Sequence, residues 1–497
     1  MLTIKLTEDI IMSDAIRNLE PKAVWENFYQ LTQIPRPSKH EDKIQTFMMN
    51  FGKNLGLETI KDEVGNIIIR KPATAGMENR KGVILQCHLD MVPQANSDKK
   101  HDFTKDPIET YIDGEWVKAK GTTLGADNGM GVASAMAVLA SKEVVHGPLE
   151  CLFTCDEETG MTGAFGLKPG LLHGQILMNL DSEDEGELYV GCAGGIDGSF
   201  MFEAKLKDAP SHHVAYKISV TGLKGGHSGL DINLERGNAN KIMFRFLHQA
   251  LEKYHIRLAD ISGGSLRNAI PREAFATILV PEFYANEIPG CVERFEKIVQ
   301  HELASADPGI TIKAVSTEMP AKVISDGVQS RLTKAVYGCP NGVIRMSQDM
   351  LGLVETSSNL AIVNLEGEQI WVHCLLRSSV DSAKEDLANS IGSVFKLADA
   401  HVEFKGGYPG WKPNIDSEIL RIMQATYQTL YNKIPEVKAI HAGLECGLLG
   451  GVYPTWDMIS FGPTMRHPHS PDEKVNIETV GKFYTWLLTS LKNIPKK

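Results

Sequence analysis

The sequence predicts an α/β protein: a mostly parallel mixed sheet with flanking helices, interrupted by an inserted α+β domain. Three observations carry that expectation. Short apolar, β-prone runs at 66–70, 82–86, 149–155 and 175–180 alternate with helical stretches, the pattern of strands buried in a parallel sheet. Three of those runs lead directly into polar residues of one chemical kind: His88, then Glu157 with Glu158, then Asp181. Open parallel sheets carry their sites at the carboxyl ends of their strands. Composition shifts near Gly194-Gly195, and the earlier character returns at Tyr408-Pro409-Gly410-Trp411. Residues 1–194 and 408–497 therefore read as two segments of one domain, and 195–407 as the insertion.

Taken in order, residues 22–55 carry helical spacing (Val24, Phe28, then Ile44, Phe47, Met48 and Phe51) around a Pro-rich break at 34–37. NIIIR at 66–70 is a short strand. GVILQ at 82–86 is the next, running into Cys87-His88-Leu89-Asp90. YIDGEWVKAKG at 111–121 reads as a hairpin turning at Asp113-Gly114. TTLGADNGMG at 122–131 then feeds a small-residue helix, VASAMAVLAS. Asp127 sits at or just before that helix's N-terminus, where capping is the commonest reason for an Asp. The flanking glycines favour more, because they let other groups approach the backbone closely. The strand 149–155 is followed by Asp156, Glu157 and Glu158 and by a Gly-rich break at Thr159-Gly160. Adjacent acids in a loop are usually solvated; at a core strand end they repel unless a cation sits with them.

The insertion alternates strands (Val214, Tyr216, Ile218, Val220) with amphipathic helices such as 239–253, whose apolar side holds Ile242, Met243, Phe246, Leu247, Ala250 and Leu251. Segments 360–364 and 369–377 form a hairpin around Glu366-Gly367. A strand–helix order recurs twice, suggesting two similar halves. After the return come a helix at 417–431, a loop HAGLECG, a strand at 458–461, a loop GPTMRHPHSPDE and a closing helix at 478–491.

Composition narrows the class. A chain of 497 residues, 42% hydrophobic and 23% charged, is ordinary globular material. A formal net charge of −11 argues against nucleic acid or an anionic membrane as partner, and no apolar run reaches transmembrane length. The N-terminus carries acids and lacks a signal-peptide core, so a cytoplasmic location is expected, with residues 1–11 an extension ahead of Met12. The eight cysteines are scattered without a Cys-x-x-Cys, and read as buried reduced thiols.

His88-Leu89-Asp90 puts two polar side chains on one side of an extended segment, which suits a metal-bound imidazole steadied by a carboxylate. Joined to Asp127, Glu157, Glu158, Asp181 and His469, it makes two histidines and several carboxylates, a set suited to zinc with open positions. That many carboxylates in one pocket need compensation, and two divalent cations would supply it. His467 competes with His469 for one role; His469 is favoured because Pro471 stiffens the segment after it.

The ordered set His88-Leu89-Asp90, GADNGMG, DEETGMTGAFG, NLDSED, KGGHSG, RNAIPREAF, HAGLECG and HSPDE resembles the dizinc aminoacylase/dipeptidase family of metallopeptidases, over nearly the whole chain after about Asn18. The resemblance implies a catalytic domain in two segments and an inserted lid. It implies two Zn2+ per chain, with Co2+ or Mn2+ as substitutes. His88 and Asp181 would hold one, Glu158 and His469 the other, and Asp127 would bridge them across a cis Asp127–Asn128 bond. Asp90 would orient His88 and Glu157 would be the general base. His227 would donate to the developing oxyanion, Arg377 and Asn268 would hold the substrate carboxylate end, and Glu445 would face its amino group. The reaction implied is hydrolysis of dipeptides by metal-bound hydroxide, above all those ending in histidine, β-alanyl-histidine included. Deacylation of N-acyl amino acids or tripeptide cleavage is the alternative. Small dipeptides are the expected partners, and a homodimer is compatible with the resemblance.

Overall fold

A computed structural model describes residues 14–497, so the extension expected ahead of Met12 lies outside the described residues. Two compact units emerge. One comprises the chain up to Gly191 with Pro413–Ala439 and Leu444–Lys497; the other comprises Cys192–Lys412 with Ile440–Gly443.

The first unit is built on an eight-stranded mixed sheet. Its order is Glu58–Lys61, Ile67–Lys71, Leu149–Thr154, Val83–His88, Ile176–Asn179, Asp457–Ser460, Glu187–Cys192 and Glu436–Ile440. The four central strands, Leu149–Thr154 to Asp457–Ser460, run parallel, and the Ile67–Lys71 and Glu187–Cys192 flanks are antiparallel to them. Val83–His88, Leu149–Thr154 and Ile176–Asn179 are buried along their whole length, as near-continuous apolar runs require. Because these strands share a direction, His88, the 156–158 turn and Asp181 all leave the sheet at its carboxyl edge.

The helix Ala126–Ala140 is buried almost throughout, which its Ala, Gly and Met composition permits. A Cβ at Gly131 would lie 2.5 Å from the Leu180 carbonyl oxygen, so only glycine lets this helix meet the end of the neighbouring strand. On its other side Asn27 of the helix Lys22–Thr32 donates to the Ala133 carbonyl at 3.2 Å. The closing helix, Ile477–Asn493, packs Phe483 and Trp486 against Phe461, with ring centroids 5.1 Å apart in both pairs. The hairpin expected at 111–121 forms from Thr110–Asp113 and Trp116–Ala119 and extends through Lys474–Asn476 to Met465–Arg466. It anchors both ends of the 466–474 loop, which carries His467, His469 and Glu473. HAGLECG departs from expectation: it is not wholly loop, since a helix, Glu445–Val452, begins inside it.

The second unit is a nine-stranded antiparallel sheet. Its order is Thr311–Thr317, His213–Thr221, Ala274–Pro281, Arg257–Gly263, Val354–Glu366, Gln369–Ser378, Gly194–Glu203 and His401–Tyr408, with Gly342–Met346 joined to Val354–Glu366. The helices Ala239–Tyr254, Ile288–Glu302, Asp326–Gly338 and Asp381–Leu397 share one apolar core with it. The strand–helix order recurs as His213–Thr221 with Ala239–Tyr254 and as Gln369–Ser378 with Asp381–Leu397. Among the described residues no helix is long and apolar enough to cross a membrane.

Candidate metal centre

Each polar residue at the sheet's carboxyl edge is delivered by a different local device. His88 is the last residue of its strand, and Asp90, two residues on, faces the same way: His88 Nδ1 and Asp90 Oδ1 are 3.3 Å apart. Glu157 and Glu158 open a short helical turn, Glu157–Gly160, after Asp156 takes a left-handed backbone (φ 51°) that swings the chain off the strand. Asp127 lies in the first turn of Ala126–Ala140 with non-helical φ/ψ of −80°/111°, so its side chain leaves the helix axis, and the Asp127–Asn128 bond is cis. His469 sits at φ 60° in the 466–474 loop.

The distances bring these groups together around Asp127. Its Oδ1 lies 3.1 Å from His88 Nε2 and its Oδ2 lies 3.2 Å from His469 Nε2, so each oxygen of one carboxylate faces a different imidazole. Asp181 Oδ1 approaches His88 Nε2 at 3.5 Å, and Glu158 Oε2 approaches His469 Nε2 at 3.0 Å. Three overlapping trios, His88/Asp127/Asp181, Asp127/Glu158/His469 and His88/Glu157/Glu158, each offer donor atoms within 4.8 Å of one another. Among the described residues His467 belongs to no such trio; its carbonyl accepts from the Ser470 hydroxyl at 3.1 Å. Asn128 Nδ2 donates to the Leu180 carbonyl at 3.0 Å and to Asp181 Oδ1, tying two of the segments together.

Asp90 does more than its spacing announces. Fully buried, it accepts from the Ser38 hydroxyl at 2.8 Å and from the backbone amides of Glu157 (3.0 Å) and Glu158 (3.2 Å). One carboxylate thus steadies the His88 ring and holds the glutamate turn beside it. Ser38 and the backbone of residues 157–158 were outside the reach of sequence reasoning, which sees only the His-x-Asp pair.

The electrostatics of the pocket favour positive charge on its imidazoles. Burial works against a charged His88, yet Asp181, Asp127 and Asp90 outweigh it and raise its pKa well above the usual imidazole value. His469 is pushed up to about 11 by its hydrogen bonds to Asp127 and Glu158. Burial favours a neutral Asp127, but His469 and His88 hold its pKa below the ordinary carboxylate range. Asp181 is raised to about 6 by burial, and burial also lifts Glu157 well above its normal value. The carboxylates favour positive charge on and between the two imidazoles, which divalent cations held there would supply. The donor set fits such cations: two imidazoles, a shared aspartate and further carboxylates, with Glu158 Oε1 buried and without a hydrogen bond.

Glu445, at the start of its helix, is 2% exposed. Its Oε2 accepts from Gln86 Nε2 at 2.6 Å and the Thr154 hydroxyl at 2.8 Å, while its Oε1 is buried without a hydrogen bond. Burial raises its pKa to about 7.

The remaining candidates belong to the second unit. His227 lies on a two-stranded ribbon, Gly226–His227 with Ala269–Ile270, and Asn268 directly precedes its second strand, with the Ser228 amide donating to the Asn268 carbonyl at 2.8 Å. His227 Nδ1 accepts from the amides of Gly229 (3.2 Å) and Leu230 (3.1 Å), which leaves Nε2 as the protonated, donating nitrogen of the neutral ring. Burial first, then Arg377, lowers the His227 pKa and keeps that ring neutral. Arg377, 5% exposed, donates to the Ser228 hydroxyl at 3.3 Å and to the Tyr408 hydroxyl at 3.2 Å. His441 pairs through Nε2 with the Ser357 hydroxyl at 2.7 Å, and burial, reinforced by Arg377, drives its pKa down to about 3. Ser228, Tyr408, Ser357 and His441 escaped the sequence reading; KGGHSG and HAGLECG hold two of them, but nothing in the spacing distinguishes them from loop residues.

Residues 84–493 match peptidase family M20/M25/M40. The cytosol non-specific dipeptidase of Escherichia coli (strain K12) is 49% identical over 482 residues, covering 97% of this chain and 99% of that protein. The crystal structure of aminoacylhistidine dipeptidase from Vibrio alginolyticus matches with a TM-score of 0.93 at 49% identity, over 97% of this chain and 98% of that one. Aminopeptidase PepT from Bacillus cereus shares the fold, with a TM-score of 0.57 at 14% identity over 96% and 99% of the two chains. The extent of these matches, over a chain in which a strand end and a loop bring two imidazoles to one aspartate, makes the protein a member of peptidase family M20/M25/M40.

Proposed function

We propose that the protein is a dipeptidase working with two divalent cations, zinc in the first instance, and preferring dipeptides that end in histidine, β-alanyl-histidine among them. The observation that carries the metal part is the Asp127 carboxylate, whose two oxygens face His88 and His469 separately. His88 with Asp181 and His469 with Glu158 complete the two donor groups around it. The dipeptide part is supported by the names of two relatives at 49% identity, a non-specific dipeptidase and an aminoacylhistidine dipeptidase.

Cations held there would polarise the scissile carbonyl and lower the pKa of water. The chain's own residues do the rest. Glu157, its backbone pinned to Asp90, takes the proton of the attacking water and returns it to the leaving amine. Asp90 keeps the His88 ring turned so that Nε2 faces Asp127 and Asp181. His227 carries a donor on Nε2 suited to a developing oxyanion, and Arg377 offers a guanidinium to the substrate carboxylate with Asn268 beside it in that role. Glu445 retains a free buried oxygen for the substrate's ammonium group.

The test is a substrate panel run with and without a chelator: β-alanyl-histidine, other dipeptides, a tripeptide and an N-acetyl amino acid. The expected result is chelator-sensitive cleavage of dipeptides with the histidine-ended ones fastest. Preference for the tripeptide or the N-acetyl amino acid would replace this reading with a related amidohydrolase, and cleavage indifferent to the chelator would end it.

A further inference from the structure

Two buried charges outside the donor set hold the three chain segments that carry His88, Asp127 and His469. Glu473, 2% exposed, accepts from four consecutive backbone amides. One oxygen takes Leu124 N at 2.7 Å and Gly125 N at 2.9 Å, and the other takes Ala126 N at 2.7 Å and Asp127 N at 3.2 Å. Arg36, also 2% exposed, donates from Nη1 to the carbonyls of Leu89 (3.0 Å) and Asp90 (2.9 Å), and from Nη2 to the carbonyl of Gly125. Gly125 is therefore gripped by its N–H from one side and its C=O from the other. It has to be glycine: φ is 71°, and a Cβ would lie 2.6 Å from Arg36 Nη2 and 2.9 Å from Met91 Sδ.

Ordinary capping does not account for this arrangement. A helix start needs partners for its free amides, and a local Ser, Asp or Asn usually supplies one. Here a carboxylate far along the chain satisfies four at once, although burying a charge is costly. What the long reach adds is a tie between segments. Glu473 belongs to the loop that holds His469, and its own amide donates to the Ser470 carbonyl at 3.0 Å. Arg36 joins the Asp127 turn to the end of the His88 strand. Asp127 is the last of the four amides on Glu473, so the backbone from which the shared aspartate projects is fixed by this grip.

We propose that Glu473 and Arg36 are positioning residues of the metal centre, setting the spacing and orientation of His88, Asp127 and His469 before any cation binds. The inference rests on the dinuclear reading above. It is tested on the metal-free wild type, Glu473→Gln and Arg36→Lys, each titrated with Co2+ alone while calorimetry reads affinity and visible absorption reads ligand geometry. Glu473→Gln keeps the shape but turns an amide NH2 toward two backbone N–H groups; Arg36→Lys keeps the charge but loses the fork. Expected is a metal-free variant that keeps wild-type circular dichroism and a cooperative thermal transition, lowered because buried groups lose hydrogen-bond partners, with Co2+ affinity about 10–100-fold weaker at one or both positions and an altered Co2+ spectrum. Two Co2+ ions bound with wild-type affinity and spectrum would overturn the proposal. So would a collapse of the metal-free fold in both variants, which would make the pair structural. A wild type that binds fewer than two ions removes the dinuclear reading itself and this inference with it, an outcome visible before any variant is compared.

Discussion

Removing the Asp90 carboxylate puts the support of the donor set under direct strain. Asp90 is fully buried and receives the amides of Glu157 and Glu158, the Ser38 hydroxyl and the edge of the His88 ring. In Asp90→Ala the two amides lose their acceptor, and a buried donor left unpaired costs about 1–3 kcal/mol, so the metal-free protein should lose roughly 2–6 kcal/mol. Ser38 adds little, because its hydroxyl also reaches the Met91 carbonyl at 3.4 Å. Asp90→Asn keeps one acceptor oxygen, satisfies one amide, and should lose about half as much. Both variants release the His88 ring from its carboxylate, which typically costs about 10–100-fold in metal affinity or activity. Denaturant unfolding of the metal-free proteins measures the first quantity, and Zn2+ competition with a chromogenic chelator the second. If Asp90→Asn and Asp90→Ala are equally stable, or if either holds Zn2+ as tightly as wild type, the carboxylate is not the support described.

Asp127→Ala removes the carboxylate that faces both histidines and should leave the isolated protein without bound metal; full occupancy on metal analysis would refute the shared-ligand assignment. Glu157→Ala should keep its metal while turnover drops by about 10²–10⁴-fold, and turnover retained near wild type would remove Glu157 as base. Arg377→Lys should raise KM for dipeptides about tenfold with little change in kcat, since an ammonium cannot reproduce a two-pronged grip on a carboxylate; an unchanged KM would discard that contact. His441 should make the second unit acid-sensitive. Its folded pKa of about 3 lies below the unfolded value of 6.5, so its contribution is complete above pH 6.5 and shrinks as pH falls toward 3. The loss amounts to about 2 kcal/mol by pH 5. Hydrogen exchange in the strand Val354–Glu366 should accelerate between pH 7 and 5, after correction for intrinsic rates, in wild type and not in His441→Gln; equal pH dependence in both would dismiss His441 as the source.

Much of this architecture is legible before any coordinates. Three apolar runs of strand length, leading into His88, Glu157 with Glu158, and Asp181, state that a parallel sheet has candidate ligands at one edge, and the period of two places Asp90 beside His88. The glycines around Asp127 announce close approach, which the contact of Gly131 with the Leu180 carbonyl explains. Residues whose role depends on reach rather than spacing stay hidden. Glu473 finds its four amides near residue 125, and Arg36 serves segments near 89 and 125; no local pattern links such partners. Glu445 is assigned to the substrate's amino group through the resemblance alone, and only the structure shows that a helix starts there and buries it. His441 is indistinguishable from a surface histidine until Ser357 is seen opposite it.

The last imidazole of the centre lies beyond the whole of the second unit in the chain. A ribosome working from the N-terminus releases His88, Asp127, Glu158 and Asp181 long before His469, with residues 192–412 made in between. At about 5–20 residues per second that interval is roughly 15–60 s. During it the nascent chain displays the carboxylates with only one of the two rings that face them, so assembly of the complete cation cage waits until His469 has emerged.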